Sequence, residues 1–168
     1  QLQRANGVKP TFGKYEASQR GIAIESISTD KIELKKELDN TILKVYLDKP
    51  LLPNSATTFD IKFKTYYDTG STRRRMKKYK SSIGFTHYNG CQWYPKICVY
   101  DHHAGWNTDQ HLNREFYGDF GSWDVNLTFA SNYVVEATGV LQNEAEVLPD
   151  TLKKKLQISN FKDKKWDE

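Results

Sequence analysis

The alternation of apolar and charged residues from Thr57 to Tyr67 is the feature that most constrains the fold of this 168-residue chain. One set of alternate positions holds Phe59, Ile61, Phe63, Thr65 and Tyr67, and the other holds Asp60, Lys62, Lys64 and Tyr66. A period of two is that of a β-strand, whose successive side chains point to opposite faces. One buried and one solvated face is typical of an antiparallel sheet.

Weaker runs of the same kind extend the prediction along the chain. Predicted strands are residues 21–27, 41–47, 57–67, 92–101, 122–129 and 133–138, with a hairpin turn at 130–132. Near the end, Pro149, Leu152 and Leu156 predict one short amphipathic helix. The fold class is therefore mainly β, an antiparallel sheet or sandwich with one short C-terminal helix. We expect a single, incomplete β domain with a lead-in at 1–21, a sheet at 22–145, and a helix and frayed tail at 146–168.

Composition is compatible with a folded domain and excludes some classes of protein. Aromatic residues make up 13% of the chain, which is enough to bury a core although only 38% of residues are apolar. No run approaches the roughly 18 apolar residues of a membrane span. Cys91 and Cys98 lie in one predicted extended run, about 23 Å apart at 3.3 Å per residue. A disulfide needs Cα atoms within about 7 Å, so both are predicted to be free thiols.

The residue types of enzyme sites are present without the spacing that such sites require. The densest group of potential metal ligands is Asp101, His102, His103, Asp109 and His111. These residues lie in a predicted loop, whereas zinc needs ligands held by a rigid frame, and no H-E-x-x-H occurs. We therefore expect a polar loop there, and the sequence assigns no role to His102 and His103.

Nucleophilic catalysis and paired carboxylates are no better supported. A pair of Cys91 or Cys98 with His87 has no third residue to orient it. Glu115 and Asp119 lie in one short segment, which does not establish a cleft. Gly118 and Gly121 in that segment favour tight turns or a close backbone approach.

A basic run is the candidate anion-binding loop. Its members are Arg73, Arg74, Arg75, Lys77 and Lys78, followed by Lys80. Aromatic side chains beside such a run are used to bind single-stranded nucleic acid. However, the net charge is only +4 and no ribonucleoprotein or helix-turn-helix signature occurs. We therefore expect a solvated hairpin tip and no nucleic-acid partner.

From residue 91 onward the motifs become specific. In order they are Gln92-Trp93-Tyr94-Pro95-Lys96, Tyr100-Asp101, Gly105-Trp106, the run from Glu115 to Gly121, Asp124-Val125, the run from Asn132 to Val135, Ala137-Thr138-Gly139 and Leu141-Gln142-Asn143. This order resembles the N-terminal domain of the aminopeptidase N family of zinc metallopeptidases, in a branch common among bacteria. The resemblance covers residues 90–145, about a third of the chain.

The resemblance implies a saddle-shaped β domain that packs against a separate zinc-binding catalytic domain. That catalytic domain carries H-E-x-x-H, a distal glutamate ligand and a Gly-x-Met-x-Asn strand, none of which occurs here; the single methionine, Met76, precedes two lysines. We therefore expect an internal piece of such a protein, with no cofactor and no activity of its own. The implied partners are the catalytic domain of the same parent chain, which holds the zinc, and a peptide substrate. The implied location is exported, periplasmic or at the cell surface.

The resemblance also implies a binding role for Gln92, which matches a family glutamine beside the free amino end of the substrate. A neutral amide suits that position because it both donates and accepts hydrogen bonds. We expect Gln92 and Trp93 to line the peptide cleft, with Trp123, Val125 and Leu127 in the core. The alternative for Gln92 is a hydrogen bond within a loop.

A different class of function stays open beside this one. The sheet would be a stand-alone binding module for protein, polysaccharide or nucleic acid, using exposed Trp93, Tyr94 and Trp106 to stack on the ligand. In either case an unpaired sheet edge would invite another strand, so we expect self-association.

Overall fold

The computed structural model describes residues 21–39, 41–69, 75–103, 105–109 and 117–162. It is mainly β, with 31% of the described residues in strands and 10% in helices, which confirms the predicted fold class. The contacts divide the chain into two units, residues 1–122 and residues 123–168, each described by itself below. The described strands all lie in the first unit and the helices in the second. Whether the chain is one domain stays a prediction.

The first sheet contains the strand that the sequence predicts most clearly. Its order is β2 (Ile32–Glu33), β1 (Ile22–Thr29) and β5 (Asp60–Thr65), and both pairings are antiparallel. In β5 the side chains of Ile61, Phe63 and Thr65 are partly covered and the residues between them are exposed, as the alternation predicts. A bulge in β1 lies between Ile24 and Ser26.

The second sheet is a hairpin of β3 (Lys35–Asp39) and β4 (Ile42–Tyr46), paired from Lys35↔Tyr46 to Asp39↔Ile42. Only β4 is predicted from the sequence. The Tyr46 hydroxyl donates a hydrogen bond to Glu37 Oε2 at 2.9 Å, which raises the pKa of Tyr46 above its usual value. The buried apolar residues of the described chain are few: Ile27, Leu34, Ile42 and Val99.

The third sheet corrects the prediction of a solvated tip at the basic run. Lys77–Lys80 forms β7, which pairs antiparallel with β8 (Thr86–Asn89) and parallel with the two residues of β6 (Asp68–Thr69). The run of cationic residues does not indicate a strand. The hydrogen bonds that define β7 come from segments up to twelve residues away in sequence, which a local pattern does not show. Arg73 and Arg74 lie outside the described residues.

The predicted strands at 92–101, 122–129 and 133–138 are largely wrong. Only Tyr100–Asp101 forms a strand, β9, paired with β10 (Gly105–Trp106), and residues 117–143 contain no strand. The predicted turn is present, with Tyr133 N donating to Ala130 O at 3.1 Å. The expected core residues Trp123, Val125 and Leu127 are 62%, 51% and 45% exposed. An alternating pattern becomes a strand only beside a second strand, and no described segment pairs with this one.

In the second unit, residues 123–162 are described and form two short helices, α1 (Glu144–Val147) and α2 (Asp150–Lys155), followed by a 3₁₀ turn at Ile158–Asn160. The predicted C-terminal helix is α2, and Pro149 occupies its N-cap position. Asn160 Nδ2 donates to the carbonyl oxygens of Lys154 and Lys155, at 2.6 and 3.1 Å, and so satisfies carbonyl groups at the end of α2. None of the described helices has both the length and the apolar character needed to cross a bilayer.

Candidate functional site

The segment from Gly90 to Tyr94 is held against one face of β5. Thr65 Oγ1 donates to the carbonyl oxygen of Trp93 at 2.5 Å, and the Trp93 ring lies 6.1 Å from that of Phe63. At Gly90 an added Cβ would lie 2.7 Å from the Tyr67 hydroxyl, so this position has no room for a side chain as it stands. The predicted apolar face of β5 therefore positions the segment that carries the predicted binding residues.

Gln92 lies at the turn of this segment in a conformation that ordinary residues avoid. Its φ is 55°, in the left-handed region, which costs on the order of 1 kcal/mol for a residue with a side chain. Such strain persists where the surrounding contacts hold it, and it is often found at functional sites. Here the neighbouring Trp93 is held by Thr65, and the Gln92 side chain is exposed.

The structure brings together two sets of residues that the sequence treats as separate. The Arg75 guanidinium donates a hydrogen bond from Nη1 to Gln92 Oε1, so the basic run meets the predicted peptide-binding glutamine. The two residues are 17 positions apart in the chain. In the sequence, Arg75 stands out only as part of a basic run, and Gln92 only through the family resemblance. Neither observation predicts that the two side chains meet.

The other described members of the basic run face in different directions. Lys77 forms a partly buried ion pair with Asp68, and this pair holds its ammonium group within the third sheet. Lys78 is the next residue in β7, opposite Tyr88, so it lies on the other face of that sheet. The predicted anion-binding loop is therefore not a single cluster of cations within the described residues.

Trp93, the residue after Gln92, provides an apolar surface. Trp93 is 37% exposed, and its ring meets Tyr94 edge-on, with the ring centroids 5.3 Å apart. A hydrogen-bonding amide beside an aromatic ring is a combination suited to a peptide, which presents amide groups and apolar side chains together.

The loop that carries His102 and His103 is held by hydrogen bonds to the Asp101 side chain. The two rings of His102 and His103 lie 3.8 Å apart, and Asp101 accepts hydrogen bonds from the His103 backbone N–H at 2.9 Å and from the Tyr117 hydroxyl. The Tyr117 pKa is raised, chiefly by its hydrogen bond to Asp101. The described residues contain no group of three metal-ligating side chains. His111 and Glu115 lie outside them.

Gly118 continues from Tyr117 along the same surface. The Lys96 ammonium occupies the place that a Cβ at Gly118 would take. This contact is with the end of a flexible side chain, so the expected tight turn or close backbone approach at this glycine stays a prediction. The contacts of Tyr117 and Gly118 fix residues 117–118 to residues 96–101. No pattern in the sequence predicts the hydrogen bond from Tyr117 to Asp101, because a tyrosine in an aromatic-rich run does not identify its partner.

The two cysteines are free, as predicted. Cys91 is exposed beside Gln92, whereas Cys98 is partly buried, and this burial raises the pKa of its thiol. His87 contacts the Tyr79 ring across β7 and β8, at 4.9 Å between centroids.

No protein-family model matches this chain, and neither a curated protein nor a solved structure matches it.

Proposed function

We propose that this chain is a non-catalytic β domain of a zinc aminopeptidase-like metallopeptidase. It packs against the catalytic domain of the same polypeptide and helps to form the cleft that binds the peptide substrate. The zinc ion belongs to that catalytic domain, and the parent protein is exported to the periplasm or the cell surface. The observation that carries the proposal is the ordered set of motifs between residues 91 and 143 that resembles this family.

The surroundings of Gln92 support its part in the proposal. The residue is exposed, adopts a positive φ, and is held on both sides by Arg75 and by the Trp93 segment. The pair of Gln92 and Trp93 therefore offers a wall of the cleft that combines a hydrogen bond with apolar contact.

The apolar surface of the second unit supports packing against a further domain. Val134 and Val140 are 96% and 83% exposed, and Trp123 and Phe129 are exposed as well. Exposed apolar side chains that form one patch mark interaction sites in folded proteins, so these residues are candidates for burial against a further domain. Under the proposed function, the catalytic domain of the same polypeptide covers these apolar side chains.

The test is the kinetics of the full-length polypeptide with a Gln92→Ala substitution. We expect hydrolysis of peptides with a free amino end, and a Michaelis constant raised about fivefold to tenfold in the variant with kcat little changed, since one hydrogen bond in the bound state is lost. Gln157→Ala is the matched control, because Gln157 is exposed and lies outside the segment of resemblance.

Two results would count against the proposal. A full-length protein that binds no zinc and releases no amino acid from any peptide contradicts the metallopeptidase assignment. Kinetics unchanged by Gln92→Ala contradict the role of this residue in the cleft, while leaving the assignment of the domain in place.

A further inference from the structure

One edge of β5 carries no strand in the described part of the chain. The other edge pairs with β1, and just after β5 the Tyr66 N–H donates to the Gly21 carbonyl on that same side. Successive residues of a strand turn their backbone groups to opposite edges, so Ile61, Phe63 and Thr65 direct theirs away from β1. No backbone hydrogen bond joins these outward groups to a described segment.

The segment at residues 90–94 does not pair with this edge. Its contacts with β5 are made by the side chains of Phe63 and Thr65, to the ring and the carbonyl oxygen of Trp93. Both side chains belong to the partly covered face of the strand. The segment therefore covers part of one face of β5 and supplies no strand beside it.

The exposed face of β5 carries charges of both signs. Asp60, Lys62 and Lys64 are all exposed. Lys64 is paired with Glu25 of β1, whereas neither Asp60 nor Lys62 forms an ion pair with another described residue. Charged side chains, lysine above all, ordinarily protect a sheet edge from pairing with another strand. An unpaired aspartate two positions from an unpaired lysine removes this protection for a partner with the complementary spacing.

A second copy of β5 has that spacing in one register. Two copies related by a twofold axis pair antiparallel, with outward-facing residues opposite one another. Three registers, centred on Ile61, Lys62 or Phe63, lie near the middle of the strand. The second places Lys62 opposite its own copy, and the third places Lys62 opposite Lys64. The first places Asp60 of each copy opposite Lys62 of the other and is the one of the three that opposes no like charges.

We propose that the outer edge of β5 is a docking surface for a second copy of this chain, in the antiparallel register centred on Ile61. The two Ile61 residues exchange backbone hydrogen bonds at the axis, and Phe59 of each copy lies opposite Phe63 of the other. On the exposed face, two Asp60–Lys62 pairs form between the copies, and directly opposite charges of this kind stabilise a sheet. The result is one six-stranded sheet in the order β2-β1-β5-β5-β1-β2. This inference goes beyond the proposed function, which names no second copy.

The test is analytical ultracentrifugation of the 168-residue chain and its charge variants. The wild-type chain is expected to show a monomer–dimer equilibrium. Asp60→Lys and Lys62→Asp each place like charges opposite one another at both pairs, so each should raise the dimer dissociation constant about tenfold or more. Asp124→Lys, which makes the same charge change at an exposed position of the second unit, is the matched control and should dimerise like the wild type.

Mixing the two variants tests the register itself. In a mixed dimer each copy supplies the charge that the other lacks, so Asp60→Lys and Lys62→Asp in equal amounts should dimerise far more tightly than either variant alone. The double variant Asp60→Lys/Lys62→Asp should dimerise like the wild type, because exchanging the two charges preserves both pairs. Circular dichroism checks that every variant keeps its strands. If Asp60→Lys unfolds, Asp60→Asn takes its place and should raise the dissociation constant about threefold.

A chain that is monomeric at all concentrations overturns the inference. An Asp60→Lys variant that associates like the wild type also overturns it and assigns the association to another surface, such as the apolar side chains of the second unit. If both single variants are monomeric and their mixture stays monomeric, β5 does not pair in this register and the inference is wrong. None of these outcomes depends on peptide hydrolysis, so the proposed function is tested separately.

Discussion

Single residues differ widely in how much of the described fold depends on them. Ile27 in β1 is 3% exposed, and Leu34, whose backbone N–H donates to the Ile27 carbonyl at 2.9 Å, is 3% exposed too. Most large apolar side chains in the described chain are far more accessible. Within the described part of the first unit, stability therefore depends on a small number of buried positions.

Ile27→Ala is expected to lower the free energy of unfolding by about 2–4 kcal/mol, because it removes buried methyl groups and leaves a cavity. Ile32→Ala, in the neighbouring strand β2 at 57% exposure, should cost less than about 0.5 kcal/mol. Urea denaturation followed by tryptophan fluorescence measures both values. Equal losses for the two variants would contradict the burial of Ile27.

The two thiols are expected to react at different rates because of their surroundings. Burial raises the pKa of Cys98 and limits access to its sulfur, whereas Cys91 is exposed to solvent. Cys91 should react with Ellman's reagent about tenfold faster, and Cys91→Ser should remove the fast phase. The stabilisation from the neutral Cys98 thiol is fully present below the pKa of an unfolded cysteine and is lost as the pH rises through the raised value. A single rate for both thiols would contradict this prediction.

At the scale of elements, the turn between β1 and β2 shows how local chemistry fixes a register. Asp30 and Lys31 both have positive φ, 50° and 67°, the arrangement of a two-residue type I′ hairpin turn. That turn leads to the pairs Thr29↔Ile32 and Ser28↔Glu33. Aspartate tolerates such a conformation, but lysine at the second position is strained, since glycine is the preferred residue there.

Lys31→Gly is therefore expected to raise the free energy of unfolding by about 0.5–1 kcal/mol, since glycine adopts a positive φ without steric cost. Lys35→Gly, at the first residue of β3, is the matched control, and it should lower stability because glycine has a low preference for strands. Thermal unfolding followed by circular dichroism measures both changes. Destabilisation by Lys31→Gly would show that the lysine side chain makes a contribution larger than the backbone strain.

At the scale of the whole chain, exposed apolar surface is concentrated in the second unit. Val134, Val140 and Ile158 there are at least 83% exposed. In the first unit, β5 pairs with β1, and the described residues place no further strand beside it. Either feature invites association, the first by burial of apolar surface and the second by addition of a strand.

The 168-residue chain is therefore expected to self-associate, with a sedimentation coefficient that rises with concentration. If the apolar surface is responsible, Val134→Lys should reduce association, and Thr138→Lys, which adds the same charge at a polar position, should reduce it less. If the edge of β5 is responsible, both variants should associate like the wild type. A single monomeric species at all concentrations would contradict the prediction.

Patterns that depend on neighbours along the chain are read correctly from the sequence. The alternation of residues 57–67 predicts β5 and its covered face, Pro149 with Leu152 and Leu156 predicts α2, and the turn at residues 130–132 is present. The spacing of the two cysteines predicts free thiols. Each of these features is decided by bond geometry, side-chain period or backbone preference within about ten residues.

Features that need a partner from elsewhere in the chain are decided by the tertiary structure. β7 exists because β8 supplies its hydrogen bonds, although its lysines suggest a loop, and the alternating run at Trp123–Phe129 is no strand because no described segment pairs with it. The contact of Arg75 with Gln92 likewise arises from the fold. A strand needs a second strand to satisfy its backbone groups, and a side chain needs a partner of the right polarity, and local sequence does not specify either partner.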